Sequence, residues 1–354
     1  LRPELDAAVA RVLDSGWFLL GGEGEAFERE FADWVGTDHA AGCASGTDAI
    51  ELALRALGIG AGDEVITQAN TCVPTVAAIA RAGARPVLCD VEPEAGTIDP
   101  DSLAGAIGPK TRAVIPVHLY GQVGDMDAVE ALAHEQGIAV IEDCAQAHGA
   151  TMGGRRAGTI GVAAAFSFYP TKNLGAFGDG GAVTTSDPAV DERLRLVRQY
   201  GQAGRDHHVA EGVNSRLDEL QAALLRVRLA RLSADNARRA AIAGRYSEAL
   251  AGTPVEPLRR LPDRDHAFHL FVVNAPERDR FVAALADLEV ATLVHYPQPI
   301  HGHEPYAELG HGPVPLTNAE ELSRRVVSLP IYPELNDAEV DHVAAAARTA
   351  ALAG

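Results

Sequence analysis

The chain has 354 residues, 47% hydrophobic and 5% aromatic, with 30 basic against 49 acidic side chains and a formal net charge of −19. That length allows one large domain and a smaller one, and the acidity argues against nucleic acid or an anionic membrane surface as partner. Four scattered cysteines (Cys43, Cys72, Cys89, Cys144) form no CxxC pair and read as reduced thiols of a cytoplasmic protein; no segment reads as a signal peptide, and no apolar run is long enough to span a bilayer.

From about residue 45 short apolar runs alternate with amphipathic stretches. Strands are predicted at 64–67, 85–90, 113–118, 139–143, 164–168 and 181–185, with helices at 47–57, 73–82, 101–107 and 126–136. The strands are mostly continuous apolar runs, as in a sheet covered on both faces, and the alternation predicts a largely parallel α/β sheet. One long helix is predicted from about 215 to 250. A second unit follows: a strand at 269–274, a helix at 278–288, a strand at 290–294, a loop rich in proline and histidine to about 315, and closing helices. The boundary is placed near residue 240, giving a large domain 1–240 and a small C-terminal α/β domain 241–354.

Of the 30 basic residues only two are lysines, Lys110 and Lys172. Arginine serves wherever a charge suffices, so a lysine kept in Ser167-Phe168-Tyr169-Pro170-Thr171-Lys172-Asn173-Leu174-Gly175 asks for a chemical reason. Its amine can condense with an aldehyde, which a guanidinium cannot do. In an open α/β sheet ligand groups gather at the C-terminal ends of the strands. There, Ala44-Ser45-Gly46-Thr47 opens a helix and offers free N–H groups and hydroxyls to a phosphate, although the same run suits a plain helix cap. Asp143 ends an apolar strand, where a carboxylate can hold a protonated ring nitrogen, with Gln146 and His148 just beyond. Ser167 ends another strand, five residues before Lys172. Asn214 and Arg216 are read as opening the long helix, a setting that suits an anion. Cradle, strand-end aspartate and amine together suit pyridoxal 5'-phosphate. Gly58-Ile59-Gly60-Ala61-Gly62 precedes a strand and is a poor dinucleotide fingerprint. His207-His208 and His301-Gly302-His303 lack the helical spacing and carboxylates of a metal site, and no metal is expected.

With those residues in place, the chain resembles the DegT/DnrJ/EryC1/StrS family of sugar aminotransferases. The resemblance runs from Gly16-Trp17-Phe18 and Phe27-Glu28-Arg29-Glu30-Phe31-Ala32 through Val117-His118-Leu119-Tyr120-Gly121 and His295-Tyr296-Pro297 to Ser328-Leu329-Pro330-Ile331-Tyr332-Pro333-Glu334-Leu335. It implies fold-type I pyridoxal phosphate chemistry with Lys172 and Asp143 as catalytic residues. The cofactor would rest on Ser45, Gly46, Thr47, Cys72, Gln146 and Ser167. It also implies a homodimer in which Asn214 reaches the neighbouring subunit's cofactor phosphate. Tyr169, Arg216, His295, Tyr296 and His301 are the expected substrate contacts. Many relatives carry an aromatic residue in the segment that here reads Asn70-Thr71-Cys72-Val73-Pro74-Thr75, and Cys72 stands in its place. The expected reaction moves an amino group, with glutamate as donor, to a thymidine diphosphate-linked 3-keto-6-deoxysugar. A 4-keto sugar nucleotide, a keto-inositol, or a ligand-sensing role without catalysis are the alternatives.

Overall fold

The structure, a computed structural model, describes residues 1–353. Seven strands form the central sheet in the order β1 (His39–Cys43), β9 (Gly181–Thr185), β8 (Ala163–Ser167), β5 (Ala139–Asp143), β4 (Thr111–Ile115), β2 (Glu64–Gln68) and β3 (Arg85–Cys89). The pairs from β3 through β2, β4 and β5 to β8 are parallel. β9 runs against both β8 and β1, so it alone is reversed. β8 and β9 are buried along their whole length, which is why their sequences show no polar alternation. The two threonines of β9 satisfy their hydroxyls inside the protein, on the carbonyls of Gly158 and Val162.

One face of the sheet is covered by α2 (Gly22–Val35), α5 (Pro100–Ala106), α6 (Met126–Gln136) and α8 (Glu219–Leu229), through Phe27, Phe31, Leu103, Met126 and Leu225. The other face carries α3 (Gly46–Ala56), α4 (Val73–Arg81) and α7 (Pro188–Val197), through Leu52, Leu54, Ile79 and Leu194. Each of those leucines, removed from water, contributes about 2 kcal/mol. The helix starts are set locally. Ser45, Asp99, Asp125 and Asp187 each accept a hydrogen bond from a first-turn N–H. α1 (Arg2–Ser15) lies on α8 through Ala8 and Val12.

A second core is built by α9 (Leu232–Leu250), α10 (Arg278–Asp287) and α12 (Asp337–Leu352) against an antiparallel sheet of β12 (Glu256–Pro257), β14 (Phe271–Asn274) and β15 (Val326–Leu329). α12 starts in a full capping box between Asn336 and Glu339. Where the two units meet, Leu119 and Tyr120 pack with Val272, Ile300 and Leu322 of α11 (Thr317–Arg325). Two small pieces complete the chain: β6 (Thr151–Met152) and β7 (Arg155–Arg156) with β13 (Arg264–Asp265), and the hairpin of β10 (Gln202–Gly204) and β11 (His207–His208).

Several expected elements differ. The long helix expected from 215 to 250 is two helices, broken at Ala230–Arg231. Leu229 and Leu232 bury in the large core, whereas Ile242, Tyr246 and Leu250 bury in the small one, and one straight rod does not serve both. No glycine or proline marks the break. The helix also starts at Glu219, after Asp218, so Asn214 and Arg216 lie in an extended approach and not at its start; Asn214 bridges to Gln199. The strand expected at 290–294 reduces to a single bridge between Leu293 and Ser328. β4 stops at Ile115 because Pro116 brings no N–H to the ladder. β1 was not foreseen; it is a short, small-residue strand on the sheet's edge.

Candidate active site

β1, β2, β4, β5 and β8 all point their C-terminal ends to one edge of the sheet, where a cleft of about 410 Å³ opens. Ser45, Gly46 and Thr47 follow β1, Cys72 follows β2, and Val117 and Leu119 follow β4. Asp143 and Gln146 come from the end of β5, and Ser167, Tyr169 and Lys172 from the end of β8. The small unit adds His269, His295 and Tyr296.

At the floor, Gly46 and Thr47 are the first helical residues of α3, so their N–H groups have no carbonyl within the helix to bind. Ser45 caps Asp48 at 3.1 Å. A Cβ on Gly46 would stand 2.5 Å from the Cβ of Ser167, so only glycine lets the helix start approach that strand end. This is a phosphate cradle by geometry and by dipole.

Asp143 is 4% exposed. Its Oδ1 accepts from the Ala145 N–H at 3.1 Å and its Oδ2 from the Thr75 hydroxyl at 2.9 Å. Burial pushes its pKa above the ordinary carboxylate value, and the Ala145 N–H, the Thr75 hydroxyl and the charges of Lys172 and His118 offset this only in part. Burial likewise pushes the Lys172 amine below its ordinary value, against the charge of Asp143. An acid held up and an amine held down in one cleft is a pattern that buried functional sites share with structural ion networks.

Three histidines near Lys172 are kept neutral. Burial and then the lysine charge lower His148 to about 3, and the same two causes lower His269 and His295. The tautomer of His269 follows from its partners. Asn173 Nδ2 donates to Asn236 Oδ1 and to the Ala267 carbonyl, so Asn173 Oδ1 faces His269, whose Nδ1 donates to it at 3.1 Å.

The far wall is tied to the sheet by a short network. Gln146 Nε2 donates to the Tyr296 hydroxyl at 3.2 Å, and Gln146 Oε1 accepts from the Tyr120 N–H at 2.6 Å. The Tyr120 hydroxyl donates to the His295 carbonyl at 2.5 Å. Tyr120 has φ of 62°, a costly conformation for an aromatic residue, and these bonds hold it there. The Tyr296 hydroxyl is pushed up by burial and by the neighbouring Cys72. Cys72 therefore shares its corner of the cleft with an aromatic residue supplied by a distant loop.

Of the expected site residues, three lie outside this chain's cleft. Asn214 is exposed and Arg216 partly so, both beyond it. His301 turns away to Glu320, 3.1 Å from its Nε2. Sequence reasoning missed Thr75, Tyr120, Asn173 and His269. Each lies within or beside a motif that was read, but only folding shows which of its side chains turn inward.

A mostly parallel sheet with an amine, a strand-end carboxylate and a helix-start cradle at its C-terminal edge suits a pyridoxal phosphate-dependent aminotransferase, and the free N–H groups of the cradle, with Asp143 and Lys172 in the same cleft, fit that cofactor. The chain belongs to the DegT/DnrJ/EryC1/StrS aminotransferase family, whose model matches residues 1–348. It is 51% identical over 336 residues to the dTDP-3-amino-3,4,6-trideoxy-alpha-D-glucose transaminase of Streptomyces venezuelae, covering 95% of this chain and 89% of that one. The crystal structure of S. venezuelae DesV superimposes with a TM-score of 0.96 at 50% identity, over 99% of this chain and 95% of that one. Spr1654 of Streptococcus pneumoniae in its PLP form gives a TM-score of 0.93 at 27% identity, over 100% of this chain and 97% of that one. The protein is an enzyme, a sugar aminotransferase that uses pyridoxal phosphate. Among the described residues no helix is long and apolar enough to cross a membrane.

Proposed function

We propose that the enzyme transfers an amino group from glutamate to C-3 of a thymidine diphosphate-linked 3-keto-6-deoxysugar. The observation that carries this reading is the 51% identity, over 95% of the chain, to a transaminase named for a dTDP-3-amino sugar. Bound pyridoxal phosphate supplies an aldehyde and an electron-accepting ring. Ser45, Gly46 and Thr47 would hold its phosphate through hydroxyls and free N–H groups. Asp143 would accept a hydrogen bond from the ring N–H and keep that proton in place. Lys172, an amine lowered by burial, takes the proton from the donor's Cα. Tyr169, His295 and Tyr296 line the mouth and offer hydrogen bonds to sugar hydroxyls.

We further propose a homodimer with shared sites. Asn214 and Arg216 sit outside their own chain's cleft, the first exposed and the second partly so, which suits a neighbour's cofactor phosphate and substrate. A net charge of −19 gives a diphosphate no long-range attraction, so a local cation such as Arg216 has to offset the repulsion. Four free thiols and a nucleotide-sugar substrate fit a cytoplasmic enzyme.

The test is a panel of keto-sugar nucleotides incubated with glutamate, with products read by mass spectrometry. The 3-keto-6-deoxy dTDP-sugars are expected to turn over fastest and the free sugars poorly. Preference for a 4-keto sugar nucleotide or a keto-inositol overturns the substrate assignment.

A further inference from the structure

We propose that Thr75 is a positioning residue: its hydroxyl holds Asp143 oriented and ionised for the cofactor's ring nitrogen, and Thr71 sets the direction of that hydroxyl. The proposal rests on the reading of Asp143 given above.

Thr75 is in the first turn of α4 and only 1% exposed. A helical threonine commonly turns its hydroxyl back to the carbonyl four residues earlier. Here the hydroxyl leaves its own helix and reaches Asp143 Oδ2 on β5, 68 residues away in sequence. The residue four earlier, Thr71, offers its hydroxyl instead, 3.1 Å from Thr75 Oγ1. Thr71 is also buried, at 3% exposure.

A hydroxyl carries one proton, and an ionised carboxylate only accepts. Thr75 therefore gives its proton to Asp143, and Thr71 gives its own to Thr75. The chain runs one way, Thr71 to Thr75 to Asp143, as long as Asp143 is charged. A protonated Asp143 could donate in the opposite sense, so the direction of the chain and the charge of the carboxylate are one property.

The carboxylate has little other support. Its second oxygen takes a single backbone N–H, from Ala145. The charges that act on it are Lys172, from the loop after β8, and more weakly His118, from the segment after β4, whose Nε2 meets Glu142; Glu142 and Cys144 flank it on its own element. Burial works against ionisation. Without the Thr75 hydroxyl, one buried oxygen is left unpaired, and it gains most by taking a proton. That proton then sits on Asp143 and not on the ring nitrogen it should serve.

The test compares Thr75→Val, nearly the same in shape, with Thr75→Ser, which keeps the hydroxyl. The Asp143 carboxyl is titrated by 13C NMR in the full-length apoprotein. The ring nitrogen of 15N-labelled pyridoxal phosphate is followed in the holoenzyme. Thr75→Val is expected to move the Asp143 titration upward and the nitrogen signal toward its unprotonated position. It should also lower kcat about tenfold, the effect of one hydrogen bond to a charged group, with KM for both substrates nearly unchanged. Thr75→Ser restores all three. Thr71→Val shifts the titration in the same direction by less, and it carries the test if Thr75→Val does not fold. An Asp143 titration unmoved by loss of the hydroxyl, or not restored by serine, overturns the proposal. Because the titration is read without cofactor, it is independent of the role assigned to Asp143; an Asp143→Asn enzyme with full kcat sinks that role alone.

Discussion

Glu142 and Asp143 are neighbours at the end of one strand, and the pleat turns them to opposite faces. Glu142 is fully buried, and four hydrogen bonds to nitrogen fill its two oxygens, with the Cys144 thiol a further contact at 4.0 Å from Oε2. Oε1 accepts from the N–H groups of Ile160 and Gly161, and Oε2 meets the Gly158 N–H and His118 Nε2 at 2.9 Å each. Burial alone pushes Glu142 up, but the hydrogen bond and charge of His118, with the N–H groups of Gly158 and Gly161, hold it below its ordinary value. Asp143, also buried, has only a hydroxyl and one N–H, and it stays above its ordinary value. Glu142 is satisfied within the fold, whereas Asp143 keeps acceptor capacity that suits the role proposed for it. Glu142 has its donors built in, and its filled lone pairs leave little for an ion, although His118, Glu142 and Cys144 lie within 4.8 Å of one another. Asp143 has two donors and lines the cleft, which leaves room for the ring N–H proposed to meet it there.

The comparison breaks most readily at the level of activity. Asp143→Asn should lower kcat by about a thousandfold, since a group acting on developing charge in a water-poor site contributes on the order of 4 kcal/mol. Glu142→Gln, assayed below its unfolding temperature, should lose less than tenfold. Equal losses erase the distinction between the two.

Stability should show the reverse order. Glu142→Gln turns an amide NH2 toward groups that already donate, and urea unfolding of the apoprotein should read a loss of about 3 kcal/mol. Asp143→Asn should leave the neutral-pH apoprotein more stable, because it removes a buried charge that lacks a full set of partners. The signs also differ with pH. Glu142 has a depressed folded pKa, so its contribution is present above the unfolded carboxylate value and is lost as pH falls through the folded one. Asp143 has a raised folded pKa, so its cost is present above that value and vanishes as pH falls below the unfolded one. Both variants should therefore converge on the wild type in acid, from opposite sides, in apoprotein melting curves.

A parallel contrast separates residues that serve their own cleft from those that leave it. Lys172→Ala and Asn214→Ala homodimers should each be crippled. Equal mixing with subunit exchange should restore about a quarter of the sites, because half the dimers are then hybrids with one intact site each. No recovery on mixing places Asn214 in its own chain's site.

Part of the sheet-edge wall of the cleft was legible in the sequence because Asp143, Ser167 and Lys172 follow mostly apolar strands. β5 and β9 have their expected bounds, and strand ends of an open sheet share one edge, so Asp143, Ser167 and Lys172 were brought together before the fold was known. The long helix was not legible as two. Its hydrophobic spacing continues through Ala230–Arg231, and the bend answers to two cores that the local pattern does not describe. Nor was the part played by Thr75. A threonine one turn into a helix has an ordinary use for its hydroxyl, and its partner is 68 residues away. Glu142 and Asp143 look alike as letters; the three N–H groups of the Gly158–Gly161 turn that fill Glu142 carry no side-chain signal.

Pyridoxal phosphate is proposed to be held in the cleft on Lys172. The chain's other lysine provides the control. Lys110 is exposed just before β4, at the edge of the sheet opposite the cleft. Borohydride treatment of the holoenzyme followed by peptide mapping reads the attachment directly. The pyridoxyl label is predicted on Lys172 alone, and absent from a folded Lys172→Ala variant; a label on Lys110, or one that survives in Lys172→Ala, contradicts the account.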